Sequence, residues 1–230
     1  MHVFDASTAW ISQGPDVYKT LNGGTSFPVH QINVPGFNMF FRNTDLGWTV
    51  SDGNINKTAD GTNWVAQTSG TTEPFSDVFF LDDNNGWVLG NTWALKTTNS
   101  GTNWSASSLG NFYYASSICF SDINTGWIAI GQGTLKSTDG GNSWSLFTPE
   151  ADRGEITQTY QIRFIDSNNG MLIGNIDGQP DRWFCYTNDG GNTWISQSFA
   201  TSEIINQLDV VDMDTAYAVG RNGALVKISK

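Results

Sequence analysis

The 230-residue sequence predicts an all-β chain, a six-bladed β-propeller of four-stranded antiparallel blades whose sixth blade is incomplete. Three observations predict it. An eight-residue turn, STDGGNSW at 137–144, recurs as TNDGGNTW (187–194), TTNSGTNW (97–104), TLNGGTSF (20–27) and, one residue short, TADGTNW (58–64). Each copy is preceded by a small residue and a large one: Ala9-Trp10, Gly47-Trp48, Gly86-Trp87, Gly126-Trp127 and Gly170-Met171. The interval from the second member of that pair to the last residue of the box is 17, 16, 17 and 17 residues, then 23. A fixed period of this size marks one supersecondary unit used many times. Ala216-Tyr217 opens a sixth unit whose box would fall at 234, past Lys230. The expected organisation is a single propeller domain over 1–230, with units near 1–33, 34–72, 73–112, 113–155, 156–203 and 204–230. Its truncated ends lead us to expect a segment of a larger protein.

The third unit shows how each element is justified. Ser76 to Leu81 is a short apolar run suited to a strand buried on both faces. Asp82-Asp83-Asn84-Asn85-Gly86 is turn chemistry, because Asx side chains bond the local backbone and Gly and Asn accept positive φ. Trp87 to Gly90 reads as a second strand and Trp93 to Thr97 as a third. The box forms the next turn, and Trp104 to Ser108 is the fourth strand. No helical period occurs anywhere, so four strands per roughly 40 residues match a propeller blade.

Within the box, Ser137 and Asp139 can close the turn with hydrogen bonds, and Gly140 and Gly141 allow angles that a Cβ would block. Trp144 is expected to return into the sheet and pack between blades. Asp60, Asp139 and Asp189 are therefore expected to form turns, not to catalyse or bind metal. Asn22 and Asn99 stand at the same place in two copies, and a carboxamide makes the turn but does no acid–base work. Trp64, Trp104, Trp144 and Trp194 close four of the boxes. Trp48, Trp87 and Trp127 recur at equivalent positions and are assigned to the core.

Composition narrows the function. Net charge is −11, from 11 basic and 22 acidic residues. Nucleic acid is then an unfavourable partner, because affinity there comes from clustered Lys and Arg. An anionic membrane surface is disfavoured on the same ground. Only 14% of residues are charged, while Asn, Thr, Ser, Gly and Trp abound, which suits a secreted or cell-surface protein. Cys119 and Cys185 lie in apolar strand-like runs in non-equivalent strands, and read as two buried free thiols. No 18-residue apolar run exists, so no membrane insertion is expected. Met1-His2-Val3 leads straight into a strand, so no signal peptide is expected in this chain. His2 and His30 have no ligand spacing, and Asp82 to Gly86 lacks the downstream bidentate Glu of a calcium loop. No metal and no cofactor are expected.

The box resembles the Asp-box, or bacterial neuraminidase repeat, whose pattern is Ser/Thr-x-Asp-x-Gly-x-Thr/Ser-Trp. Ser137, Asp139, Gly141, Ser143 and Trp144 fit it throughout, as do Thr187, Asp189, Gly191, Thr193 and Trp194. With Phe80-Leu81-Asp82, Gly86 to Gly90 and Lys96-Thr97, the longer unit is similar to the repeat of the photosystem II stability/assembly factor family and its bacterial relatives. The resemblance covers essentially the whole chain and implies a β-propeller. It implies no single function, since Asp-boxes also occur in sialidases, xyloglucanases, sorting receptors and lectin-like modules. The assembly factors typically have seven blades and a basic patch. This chain has six units and five scattered arginines, so a photosynthetic role is not implied. A sialidase would need an Arg-Ile-Pro motif, three carboxylate-clamping arginines and a Tyr–Glu pair. The chain has no Arg-Ile-Pro; Ile162-Arg163-Phe164 is the nearest, late in the chain, and Arg42 and Arg163 fall at non-equivalent positions. Xyloglucanases of this type use two propellers.

The expected function is a non-catalytic binding or scaffold propeller recognising a protein or a glycan. The alternatives are a glycoside hydrolase and a structural repeat of a surface adhesin, with self-association or flanking domains at the incomplete terminal blades. Binding is expected on the face opposite the box turns, where two loops are enlarged and adjoin the fifth unit. One is Thr148 to Thr159, which carries Glu150, Asp152, Arg153 and Glu155. The other is Asn175 to Arg182, with Asp177, Gln179 and Asp181, leading into Trp183. Trp93 and the run Phe112-Tyr113-Tyr114 are expected on the same face. Aromatics beside Asp, Asn and Arg suit stacking on a sugar or a peptide, with polar groups fixing orientation.

Overall fold

The computed structural model describes residues 1–13, 15–31, 38–112, 114–131, 133–147, 150–152, 154–177, 182–199, 205–210 and 215–229. The chain is an all-β, six-bladed propeller of antiparallel blades and divides into two compact units, Met1–Ser107 and Ser108–Lys230. Unit 1 holds three four-stranded sheets. Blade 1 is β1 (His2–Val3), β2 (Ala9–Gln13), β3 (Asp16–Thr20) and β4 (Val29–Gln31). Blade 2 is β5 (Asn38–Phe41), β6 (Gly47–Ser51), β7 (Asn54–Thr58) and β8 (Trp64–Gln67), and blade 3 is β9 (Phe75–Phe80), β10 (Gly86–Gly90), β11 (Trp93–Thr97) and β12 (Ser105–Ser108).

In unit 2, blade 4 is β13 (Ser117–Phe120), β14 (Gly126–Ile130), β15 (Gly133–Ser137) and β16 (Ser145–Phe147). Blade 5 has five strands: β17 (Glu150–Ala151), β18 (Gly154–Phe164), β19 (Gly170–Ile176), β20 (Arg182–Thr187) and β21 (Ile195–Ser198). Blade 6 has three: β22 (Ile205–Val210), β23 (Thr215–Gly220) and β24 (Leu225–Ser229), the incomplete blade that the repeat count predicts. Among the described residues no helix is long and apolar enough to cross a membrane.

One packing rule recurs along the chain. On the second strand of blades 2 to 5 a glycine lies directly opposite the last aromatic of the first strand: Phe41 and Gly47, Phe80 and Gly86, Phe120 and Gly126, Phe164 and Gly170. The ring lies over the glycine. A Cβ at Gly86 would sit 2.4 Å from Phe80, and at Gly47 2.2 Å from Phe41. Within each unit the other face of the ring receives the tryptophan of the preceding blade, stacked at 4.8 Å for Trp10 on Phe41, 3.5 Å for Trp48 on Phe80 and 3.6 Å for Trp127 on Phe164. Trp10, Trp48, Trp87 and Trp127 are fully buried, as the recurrence predicts for the last three. Across the strand from each stands a lysine whose ammonium lies 5.4–5.9 Å from the indole: Lys19, Lys57, Lys96 and Lys136. These are cation–π contacts.

The box tryptophans meet the same rings edge-on. Trp64 stands at 87° to Phe41, Trp104 at 83° to Phe80, Trp144 at 78° to Phe120 and Trp194 at 87° to Phe164. In each case the phenylalanine belongs to the tryptophan's own blade. Each box tryptophan thus braces its own sheet, and Trp64 also stands edge-on to Trp10 of the neighbouring blade.

The boxes themselves behave as turn chemistry. Ser137 Oγ accepts the amide of Gly141 (2.8 Å) and donates to Asp139 Oδ1 (2.8 Å), which accepts the Ser143 amide (3.0 Å). Thr187, Asp189, Gly191 and Thr193 repeat this set. Asn22 and Asn99 accept the Ser26 and Asn103 amides with a carboxamide oxygen, so the carboxylate is dispensable for the backbone closure. Gly140 and Gly141 have φ of 74° and 84°. A second corner caps the other turn at the same end of the blade, where Asp5, Asn43, Asp82, Asp122 and Asp166 each accept two successive amides. The two corners are laced together in five blades: the amides of Gly23, Gly61, Ser100, Gly140 and Gly190 donate to the carbonyls of Ser7, Asp45, Asn84, Asn124 and Asn168. At this end of the first five blades both turns are thus closed by their own side chains and tied to each other.

Candidate functional site

The opposite end of blade 5 breaks the pattern. Its first strand, β18, runs for 11 residues where β9 has six, and its pairing to β19 shifts register twice, between Ile156 and Gln158 and between Thr159 and Gln161. β-bulges of this kind re-aim side chains and concentrate near functional sites. Here they gather three neutral polar groups, half-buried, where β18 meets the end of β19. Tyr160 Oη donates to Gln158 Oε1 (2.7 Å), and Asn175 Nδ2 lies 3.0 Å from that same oxygen and 3.1 Å from Tyr160 Oη. The ring of Tyr160 packs against the apolar cluster of blades 5 and 6 that includes Met171, Ile173, Ile205 and Leu208. Ser116 Oγ of blade 4 donates to the Tyr160 carbonyl (2.8 Å), which ties the triad to the neighbouring blade.

The segment Thr148 to Thr159, expected as a loop, is largely strand: β17 and the start of β18 form a hairpin of the fifth sheet. The reason is local pinning. Asp152 Oδ1 accepts the amide of Ser196 (2.8 Å) and its hydroxyl, while the Asp152 amide donates to the Trp194 carbonyl (3.0 Å). Asp152, a sequence candidate for ligand contact, thereby anchors the hairpin to β21. The insertion Asn175 to Arg182 also shrinks, because β19 extends to Ile176 and β20 starts at Arg182. The exposed Asp177 donates its amide to the Glu155 carbonyl (2.9 Å), joining turn and hairpin.

The remaining candidates separate. Tyr114 is 81% exposed and holds a positive φ of 61°, a conformation that costs energy in a non-glycine residue and so draws attention to the site. A Cβ on Gly131, beside it, would lie 3.3 Å from Tyr114 Cβ. Phe112 and Trp183 are half-buried, Trp183 lying directly opposite Gly174 and Ser198 in the sheet. Trp93 belongs to unit 1, where it packs edge-on to Phe75 at 5.7 Å within the core cluster of blades 2 and 3. Tyr113, Arg153, Gln179 and Asp181 lie outside the described residues, and of Arg182 only the backbone is described.

No family model matches the chain, and no curated protein matches it in sequence. Its backbone is that of solved propellers. YCF48, solved bound to D1 peptide, aligns over 98% of this chain and 89% of its own at 15% identity and a TM-score of 0.52. YCF48 from Cyanidioschyzon merolae aligns over 84% of this chain and 67% of its own, at 20% identity and 0.59. An ancestral GH74 enzyme aligns over 99% of this chain at 16% identity and 0.68, but the chain covers only 37% of that enzyme. At these identities the likeness is one of fold.

Electrostatics separate the two ends of the blades. The box carboxylates are held low by donors within their own turns. The Ser143 hydroxyl and amide, then the Ser137 hydroxyl, bring Asp139 to about 2; the Thr193 hydroxyl and amide do the same for Asp189. Asp60 is lowered by the Asn63 amide and side chain. All three are permanently ionised at neutral pH and engaged, so none is poised for proton transfer. Cys119 and Cys185 are buried free thiols, and burial, with Asp152 adding to it, pushes Cys185 up to about 12. The far end of blade 5 adds the uncharged donors and acceptors of Gln158, Tyr160 and Asn175 to the carboxylates of Glu155 and Asp177. Gln158, Tyr160 and Asn175 were not singled out from the sequence. The signal that could have found them is the length of the polar run Gln158-Thr159-Tyr160-Gln161 in a position where other blades start a short apolar strand.

Proposed function

We propose that the chain is a non-catalytic, protein-binding propeller that takes an extended segment of its partner at the far end of blade 5. The carrying observation is the doubly bulged β18, which brings together the triad of Gln158 and Tyr160, on the strand that continues from the β17–β18 hairpin, and Asn175 of β19, where the Asp177 amide meets the Glu155 carbonyl. Carboxamides and a phenol offer the donors and acceptors that an extended backbone needs, and the exposed Tyr114 on the adjoining blade adds a flat apolar contact. The resemblance to the Asp-box and assembly-factor repeats supports this reading, as does a neighbouring fold solved with a peptide bound. The abundance of Asn, Thr and Ser and the scarcity of charge support an extracellular or cell-surface location.

The test is to select binders from a displayed peptide library on the intact chain and measure the selected peptides by calorimetry. Asn175→Ala, Tyr160→Phe, Trp183→Ala and Tyr114→Ala should each weaken binding at least about tenfold, or about 1.4 kcal/mol. Unchanged affinity in all four, or enrichment of peptides that compete with nothing at this end, refutes the site. Glycan-array binding by the same variants would move the reading to a lectin. The runner-up is a glycoside hydrolase. Glu155 and Asp177, joined by a backbone hydrogen bond at the same corner, put two carboxylates there. Turnover of an aryl glycoside that Glu155→Gln abolishes would establish it.

A further inference from the structure

The box of blade 3 differs in charge from those of blades 2, 4 and 5. They carry a carboxylate, Asp60, Asp139 and Asp189, where blade 3 has Asn99. The Asn99 carboxamide oxygen is engaged inside the turn, accepting the Thr97 hydroxyl (3.0 Å) and the Asn103 amide (2.9 Å). Its Nδ2 hydrogens are the donors that remain. Blade 1 shares the carboxamide, as Asn22, but there Nδ2 donates to Ser26 Oγ (2.8 Å), and blade 3 has Asn103 in place of that serine. Beside Asn99 lies a pocket of about 210 Å³, lined by Lys96, Thr98, Asn99, Asn103, Trp104 and Ser105, all within unit 1. Its one charge is the Lys96 ammonium, and none of its walls is a carboxylate. Lys96 stands opposite Trp87 at the register of Lys19 and Lys57. Those two lysines have partners in the turns of the following blade: Asp45 at 2.9 Å for Lys19, and Ser100 Oγ at 2.6 Å for Lys57. Lys96 takes part in no ion pair among the described residues. Lys57, through Ser100, brings a second cation to the residue next to Asn99. Asp83, on the turn laced to this box, pairs with Arg42 at 3.5 Å.

We infer that this pocket is a binding site for a single small oxyanion, a carboxylate or a phosphate. An ammonium and carboxamide N–H groups converge there without a competing carboxylate, and charge-assisted hydrogen bonds to an oxyanion are the strong ones. The chain's charge of −11 sets what kind of anion enters. Beyond a Debye length of about 8–10 Å, scattered carboxylates are screened from a compact ion in the pocket, whereas a polyanionic chain laid across the surface meets them. The site therefore takes an isolated anionic group and refuses a run of them. Thr98, Asn99, Asn103 and Ser105 are exposed, so water competes and the expected affinity is millimolar.

NMR titration of the intact, isotope-labelled chain with sodium phosphate, sodium acetate and sodium chloride at equal ionic strength tests this. Saturable amide shifts at Lys96, Asn99 and Asn103 are expected with phosphate or acetate and not with chloride. Which of the two saturates first separates a phosphate ligand from a carboxylate one. Asn99→Asp restores the carboxylate with which blades 2, 4 and 5 already fold. It should leave the melting temperature unchanged and weaken binding at least about tenfold. Lys96→Gln should abolish saturation and Lys96→Arg should retain it; if Lys96→Gln melts early, Asn99→Asp carries the test alone. A wild-type chain with no saturable shift overturns the inference. So do shifts that chloride reproduces, or binding that Asn99→Asp leaves intact.

Discussion

The smallest decisive feature is a glycine beneath a phenylalanine. A methyl group at Gly86 would overlap the Phe80 ring, so Gly86→Ala should cost about 1–3 kcal/mol or more, the range for overpacking a filled core. The chain itself contains the compensating solution. Val3 and Val210 stand opposite Ala9 and Ala216, six residues apart just as Phe41 and Gly47 are. Phe80→Val with Gly86→Ala should therefore cost less than the sum of the two single changes by about 1 kcal/mol, measured by urea denaturation in a double-mutant cycle. A second prediction concerns the box carboxylates. Asp139 and Asp189 titrate near 2 in the folded chain against an ordinary 3.8, so their contribution is complete above about pH 5 and is lost as pH falls through 2. Asp139→Asn with Asp189→Asn should flatten the decline in melting temperature between pH 5 and 2 without abolishing the fold, because Asn22 and Asn99 already close the same turn. An unchanged acid slope would refute the assignment. The six-residue pairing of Phe with Gly and of Val with Ala was present in the sequence, but its meaning depends on cross-strand register, which spacing alone does not display.

At the scale of single elements, the regular strands were legible and the irregular one was not. Short alternations of apolar residue and Asx-Gly turn place the strands of the third blade within a residue or two, because local chemistry determines them: β11 runs Trp93–Thr97 as the sequence indicates, and β9 runs Phe75–Phe80 against an expected 76–81. The polar stretch 148–159 reads as a loop by composition, yet Glu150–Ala151 and the residues from Gly154 onward are strand, because Ser196, some 40 residues away, supplies the donors that hold Asp152. Tertiary pairing overrides composition there. Asp152→Ala should free the hairpin from β21, a loss of about 1–3 kcal/mol that is local, so amide exchange at Ser196 and across 150–154 should quicken roughly ten- to hundredfold. Exchange in blade 4 should not change. A uniform acceleration throughout unit 2 would show instead that Asp152 supports the global fold.

Across the whole molecule, the repeat count and the incomplete sixth blade were readable because each unit carries its own punctuation. The irregular end of blade 5 was only half readable. The sequence located the fifth blade as the irregular one and weighted the non-repeating loop aromatics together with charged loop residues; the polar groups the fold assembles there, Gln158, Tyr160 and Asn175, were not among them. Those three become neighbours only through two register shifts. A last consequence follows from the lysines that sit over the tryptophans. Four of the chain's 11 cationic side chains lie over indole faces, while among the described carboxylates Asp5, Asp60, Asp82, Asp122, Asp139, Asp166 and Asp189 sit in turns. A cation over an indole keeps its charge, so the molecule presents its full formal charge of −11 to the solvent, with those four cations spread around it and not gathered in one patch. Incoming cationic segments are drawn in over a distance set by the surrounding electrolyte, and anionic ones are turned away before any contact forms.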